Sequence, residues 1–198
     1  ITCDGTYRGD KVVPLKDTVD VALKECPTIL HVLVFKRTNT NVLMKDGRDL
    51  FLNDLLANAA TDCPAEVVDA EDPLFILYTS GSTGQPKGLM HTSGGYMMWT
   101  GYTFENVFQC EDTKIKPQSS DVFWCTADIG WITGHSYIVY GPTLMGAAQV
   151  MFEGIPTWPD AGRFWKTIDK YKVTHFYTAP TAIRSLESFG PDYVKPFS

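Results

Sequence analysis

Leu74-Phe75-Ile76-Leu77-Tyr78-Thr79-Ser80-Gly81-Ser82-Thr83-Gly84-Gln85-Pro86-Lys87-Gly88 joins an apolar run to a loop of glycines and hydroxyls. A short run with no polar side predicts a strand covered on both faces. Behind it, Gly81 and Gly84 let the backbone approach a ligand closely with its N–H groups turned inward. Thr79, Ser80, Ser82 and Thr83 add hydroxyl donors, and Lys87 adds a cation. Many short donors and one mobile charge suit a triphosphate. A flexible linker would have polar flanks, whereas this loop lies between the apolar run and His91-Thr92-Ser93-Gly94-Gly95-Tyr96. It is not a Walker A loop, because Pro86 precedes Lys87 and Gly88 follows it.

Further apolar runs flank it: LHVLVF at 30–35, VFWC at 122–125, QVMF at 149–152 and VTHFY at 173–177. Helical spacing lies between them. Leu52, Leu55, Leu56 and Ala59 make one stripe. Leu15, Val19, Ala22 and Leu23 make another. Phe164, Ile168 and Tyr171 make a third, with Asp160 as its N-terminal signal. Strands alternating with helices predict an α/β fold with a mainly parallel sheet and flanking helices. Residues 38–49 predict a surface excursion with a hairpin closing at Asp46-Gly47. Residues 111–120 are polar and read as a surface loop.

Composition removes whole classes of function. The 198 residues carry 17 basic and 23 acidic side chains, a formal net charge of −6, which argues against nucleic acid as a partner. An aromatic content of 13% excludes disorder as the main state. No apolar run approaches the ~20 residues of a membrane span. Five cysteines without a CxxC pair and four histidines without an HxxxH pair predict no metal site. An odd cysteine count in a chain with a sizeable core fits reduced thiols and a cytoplasmic location, with a mitochondrial or nuclear one open. The start, Ile1-Thr2-Cys3-Asp4, has no leader pattern and no Met. It reads as a strand end within a longer chain.

The second unusual stretch is WCTADIGWITGHSY at 124–137. A strand ends, the chain turns at Gly130, and Gly134 opens an apolar helix. Such strand ends are where open α/β sheets bind ligands. Ile132 and Thr133 are placed to wall a small pocket, Thr133 as its polar handle. His135 reads as a general base or as a histidine held at a helix start. Asp128 reads as a metal ligand or as a turn cap, and the plainer reading is favoured for both residues. Trp124 and Trp131 read as pocket wall and core.

The motif T-S-G-S-T-G-x-P-K-G resembles the signature loop of the adenylate-forming superfamily. The resemblance implies that Thr79, Ser80, Gly81, Ser82, Thr83, Gly84 and Lys87 wrap the phosphates of ATP, supplied with Mg2+, with Lys87 catalytic. The segments at 124–142, 152–159 and 177–184 are similar to the acetyl-CoA synthetase family in particular. That likeness implies an acyl pocket at Trp131, Ile132 and Thr133, with Thr133 also near CoA. Arg8-Gly9-Asp10-Lys11 resembles the family's CoA-contacting element, which implies CoA binding by Arg8 and Lys11. Asp10 stands there in place of a glycine. Thr157 occupies a position where bacterial members often carry a CoA-contacting Asn. The family's adenine and ribose contacts and its C-terminal domain are expected beyond Ser198, so residues 1–198 read as the central part of an N-terminal AMP-binding domain. The implied substrates are acetate, ATP and CoA, with the oligomeric state left open. The alternatives are a propionyl- or other acyl-CoA synthetase, or a non-catalytic nucleotide-binding module.

Overall fold

The structure, a computed structural model, describes residues 1–80, 84–110 and 120–197. The chain divides into two compact units. The first holds residues 1–65 and 153–159, the second 66–152 and 160–198.

In the first unit, β1 (Thr2–Cys3), β4 (Val32–Phe35) and β5 (Asp49–Phe51) form a parallel sheet in the order β1-β4-β5. β2 (Gly5–Arg8) and β3 (Lys11–Pro14) make an antiparallel hairpin. The stripe from Leu15 becomes α1 (Leu15–Ala22), and that from Leu52 becomes α2 (Leu52–Leu56). Residues 38–48 do not form the predicted hairpin. β4 and β5 run parallel, so the chain must cross over between them, and Asp46-Gly47 is only a turn on that path, with Gly47 at φ +76°.

Two buried charge systems fix this unit. Asp4 is 1% exposed, and its carboxylate accepts four backbone N–H groups: Gly5 at 2.8 Å, Arg37 at 2.7 Å, Thr38 at 3.0 Å and Thr40 at 3.0 Å. Burial opposes its ionisation, but the four donors outweigh burial and hold its pKa down to about 2. Lys16 is fully buried, with Nζ 2.7 Å from Asp20 and 2.9 Å from Asp49. Burial favours its neutral form, yet the two carboxylates win and raise its pKa. Arg48, at 2.5 Å, leads in holding Asp49 ionised, burial opposes, and Lys16 assists.

In the second unit, β8 (Val122–Cys125) is the centre of a parallel sheet ordered β10-β8-β9, with β9 at Ala148–Gln149 and β10 at His175–Tyr177. Both of its faces are covered, as predicted. Trp124 packs with Ala161, Phe164 and Leu186 on one side. Phe123 and Cys125 pack with Phe104, Cys110 and Ile138 on the other. The remaining elements are β6 (Pro73–Ser80), β7 (Pro86–Thr92), α3 (Ser93–Thr103), α4 (Ile132–Gly134), α5 (Gly141–Leu144), α6 (Arg163–Tyr171) and α7 (Pro180–Glu187). Asp160 does not cap α6, whose N-cap is Gly162; it lies two residues upstream and holds the turn leading in, accepting the Gly162 N–H at 2.8 Å and binding Lys166 at 2.8 Å.

The apolar run at 74–78 departs from expectation. It does not join a parallel sheet but pairs antiparallel with β7, from Pro73↔Thr92 to Ser80↔Pro86. Phe75 and Leu77 are half-buried, while Ile76 and Tyr78 are 60% and 69% exposed. The strand is therefore covered on one face. Gly88 sits opposite Tyr78, and a Cβ there would lie 3.1 Å from the tyrosine ring, so glycine makes room for it. No helix among the described residues is long and apolar enough to cross a membrane.

Candidate functional site

The glycine and hydroxyl loop joins the tips of β6 and β7. Thr79 and Ser80 end β6, Gly84 stands at φ +80°, and Lys87 pairs with Thr79 across the hairpin. All four are exposed. Gly81, Ser82 and Thr83 lie outside the described residues, as does most of the predicted loop at 111–120. The antiparallel register keeps the Lys87 backbone beside the hydroxyl-bearing Thr79. Four residues of strand, about 13 Å, separate this pair from the base of the hairpin.

The base is held by aromatic rings that sequence reading missed. Phe75 lies 4.9 Å from His91, its cross-strand partner, 4.9 Å from Tyr96 of α3 and 4.8 Å from His135. Tyr140 stacks 6.0 Å from the same ring. Tyr96 also hydrogen-bonds Ser136 at 2.8 Å in buried surroundings. Burial raises the Tyr96 pKa, so the phenol stays neutral. These contacts tie the hairpin to the helical segment that begins with Ile132. A run of aromatic and histidine side chains at 75, 91, 96, 135 and 140 was the available signal, but no local periodicity links those positions.

The turn before that segment is built by Asp128. Its Oδ1 accepts the Gly130 N–H at 2.7 Å, and its carbonyl accepts the Trp131 N–H at 3.1 Å. Asp128 is therefore a turn cap. The helical segment starts at Ile132 rather than at Gly134. Gly134 has another task. A Cβ there would stand 2.3 Å from the Asp128 carbonyl oxygen, so only glycine lets the helix close onto the turn. His135 donates its backbone N–H to the Trp131 carbonyl at 3.1 Å, and its Nδ1 lies 3.1 Å from the same oxygen. It is a histidine held at a helix start, as the plainer reading had it. Thr133 is half-buried, and Ile132 is 37% exposed. Trp124 is core, but Trp131 is 70% exposed and is not.

In the first unit, the hairpin of β2 and β3 places Arg8 opposite Lys11, both exposed. Gly9, at φ +68°, takes the first position of the two-residue turn, where positive φ is required. Asp10 takes the second position without a positive φ, so an aspartate there carries no backbone strain. A Cβ on Gly9 would lie 3.4 Å from Ile155 and 3.6 Å from Trp158. The turn thus packs against the segment that carries Thr157, which is half-buried. Arg37 and Glu153 form an ion pair within the same unit.

The model of the AMP-binding enzyme family matches residues 10–195. The acetyl-coenzyme A synthetase of Halorhodospira halophila (strain DSM 244 / SL1) is 52% identical over 198 residues, which cover 100% of this chain and 30% of that protein. Acetyl-coenzyme A synthetase 2 of Pseudomonas aeruginosa is 54% identical over 198 residues, with the same shares covered. The acetyl-coenzyme A synthetase of Methylorubrum populi is 55% identical over 200 residues, covering 100% of this chain and 30% of its own length. The chain spans 30% of the length of these relatives.

Proposed function

This chain belongs to the AMP-binding enzyme family, and on that premise we propose that it is the central part of the N-terminal domain of an acetate–CoA ligase. In the longer protein, an acetate oxygen attacks the α-phosphorus of Mg·ATP, the bond to the β-phosphate oxygen breaks, and pyrophosphate leaves. The thiolate of CoA then attacks the acetyl carbon of the adenylate and expels AMP. Acetate and CoA as substrates are supported by the names of the relatives. A cytoplasmic location fits the free thiols of Cys3, Cys26, Cys63, Cys110 and Cys125.

The observation that carries this reading is the placement of Lys87 opposite Thr79 at the tip of a hairpin whose base packs against the segment after Trp131. Phosphoryl transfer needs positioning and neutralised charge more than covalent help. Lys87 supplies positive charge as pyrophosphate departs, while Thr79, Ser80, Ser82, Thr83 and the glycine N–H groups hold the phosphates. Trp131, Ile132 and Thr133 border the acyl group. His135 positions that turn through its two contacts with the Trp131 carbonyl. Arg8 and Lys11 contribute paired cations for CoA phosphates, with Thr157 on the segment packed beside them.

Carboxylate-dependent ATP–pyrophosphate exchange by the intact protein tests the reading. Exchange is expected with acetate in preference to longer acids. Faster exchange with propionate or butyrate would favour a longer-chain ligase. No exchange with any carboxylate would favour a non-catalytic nucleotide-binding module.

A further inference from the structure

Away from the hairpin and the turn at Trp131, Cys110, Asp121 and His175 bring one ligand atom each to within 4.8 Å of one another. Cys110 is buried, and Asp121 and His175 are half-buried. They come from three separate segments. Cys110 follows the π-turn at Phe104–Phe108, Asp121 directly precedes β8, and His175 is the first residue of β10. β8 and β10 run parallel with His175 opposite Phe123, so the cluster lies at the N-terminal end of this strand pair. The turn at Trp131 follows the other end.

Thr174 supports two of the three. Its Oγ1 lies 2.8 Å from His175 Nδ1 and 3.4 Å from Asp121 Oδ1. A histidine ring tied to an outer hydroxyl is how metal-binding histidines are oriented. Thiolate, imidazole and carboxylate together suit a borderline transition ion. Magnesium and calcium take oxygen ligands instead.

We propose that Cys110, Asp121 and His175 form a site for a Zn2+-class ion, with three protein ligands. A tetrahedral centre with bonds of about 2.0–2.3 Å sets its ligand atoms about 3.3–3.8 Å apart, so the three close by about 1 Å on binding. The ion joins the end of the π-turn to the starts of β8 and β10, and water completes the fourth position. Binding displaces the Cys110 thiol proton to solvent, so affinity rises with pH. Residues 110, 121 and 175 share no motif spacing, because only the fold brings them together.

The test uses the intact protein, stripped with chelator and titrated with Co2+ and then Zn2+. One equivalent of Co2+ should give thiolate-to-cobalt charge-transfer absorption, which Zn2+ abolishes by displacement. Cys110→Ser and His175→Gln, each shown to fold by circular dichroism, should lose that absorption. Thr174→Val should keep it with affinity weakened about 10–100-fold. The exposed Cys26 and Cys63 are the control, and Cys26→Ser/Cys63→Ser should leave the absorption intact. If Cys110→Ser does not fold, His175→Gln and the control variant decide. No charge-transfer absorption in the wild type, absorption surviving His175→Gln, or its loss in the control variant would overturn the site. None of these readouts depends on acetate activation.

Discussion

Thr79 and Lys87 face each other across the β6–β7 hairpin, one pair inside the Ser80↔Pro86 pair next to its loop. The register sets the hydroxyl-bearing and the cationic residue side by side on neighbouring strands, about 4.7–4.9 Å apart along the hydrogen-bonding direction. Removing either residue leaves the other in place, so their roles separate by mutation.

Lys87→Ala in the intact protein should slow acetate-dependent ATP–pyrophosphate exchange about 10²-fold or more, the usual loss for a group that meets charge only as it develops. Lys87 is exposed, so the fold should be unaffected. Exchange at the wild-type rate would remove Lys87 from the phosphate site.

Arg8→Ala should raise the KM for CoA while sparing the exchange reaction, because uniform binding of one substrate would be lost. Raised ionic strength should weaken CoA binding less in the variant than in the wild type. Equal damage to both half-reactions would make Arg8 structural.

Gly134→Ala should cost roughly 1–3 kcal/mol in stability, or more, because its methyl would meet the Asp128 carbonyl oxygen 2.3 Å away. The turn carrying Trp131, Ile132 and Thr133 must shift to relieve it. Thermal melting and exchange should both suffer. A melting temperature equal to the wild type would show that the turn yields freely.

Asp4 links stability to acid. Its pKa falls from 3.8 to about 2 on folding, so the unfolded chain binds the proton more readily. The stabilisation is present in full above the unfolded value and is lost as pH falls through the folded one. It amounts to about 2 kcal/mol, since each unit is about 1.4 kcal/mol. Asp4→Asn should lower stability at pH 7 and flatten the stability curve between about pH 5 and 2. An unchanged acid limb in urea titrations would refute the role.

The strands at 32–35, 122–125 and 175–177 and the helices from Leu15, Leu52 and Arg163 were legible in the chain. Such features depend on neighbours a few positions away, through side-chain periodicity and backbone freedom. The antiparallel return of β7 was not legible. Residues 86–92 carry little apolar alternation, and their strand forms by pairing with β6. Asp4 reads as an ordinary acidic residue until folding brings the N–H groups of Arg37, Thr38 and Thr40 to it, 33 to 36 positions along the chain. Phe75 with His135, and Cys110 with His175, likewise meet only when loops close and strands pair. Local patterning therefore specifies the elements. The partners of buried charge, the anchoring of the hairpin and the Cys110–Asp121–His175 cluster follow from contacts between residues far apart in the chain, and no short stretch of sequence encodes those contacts.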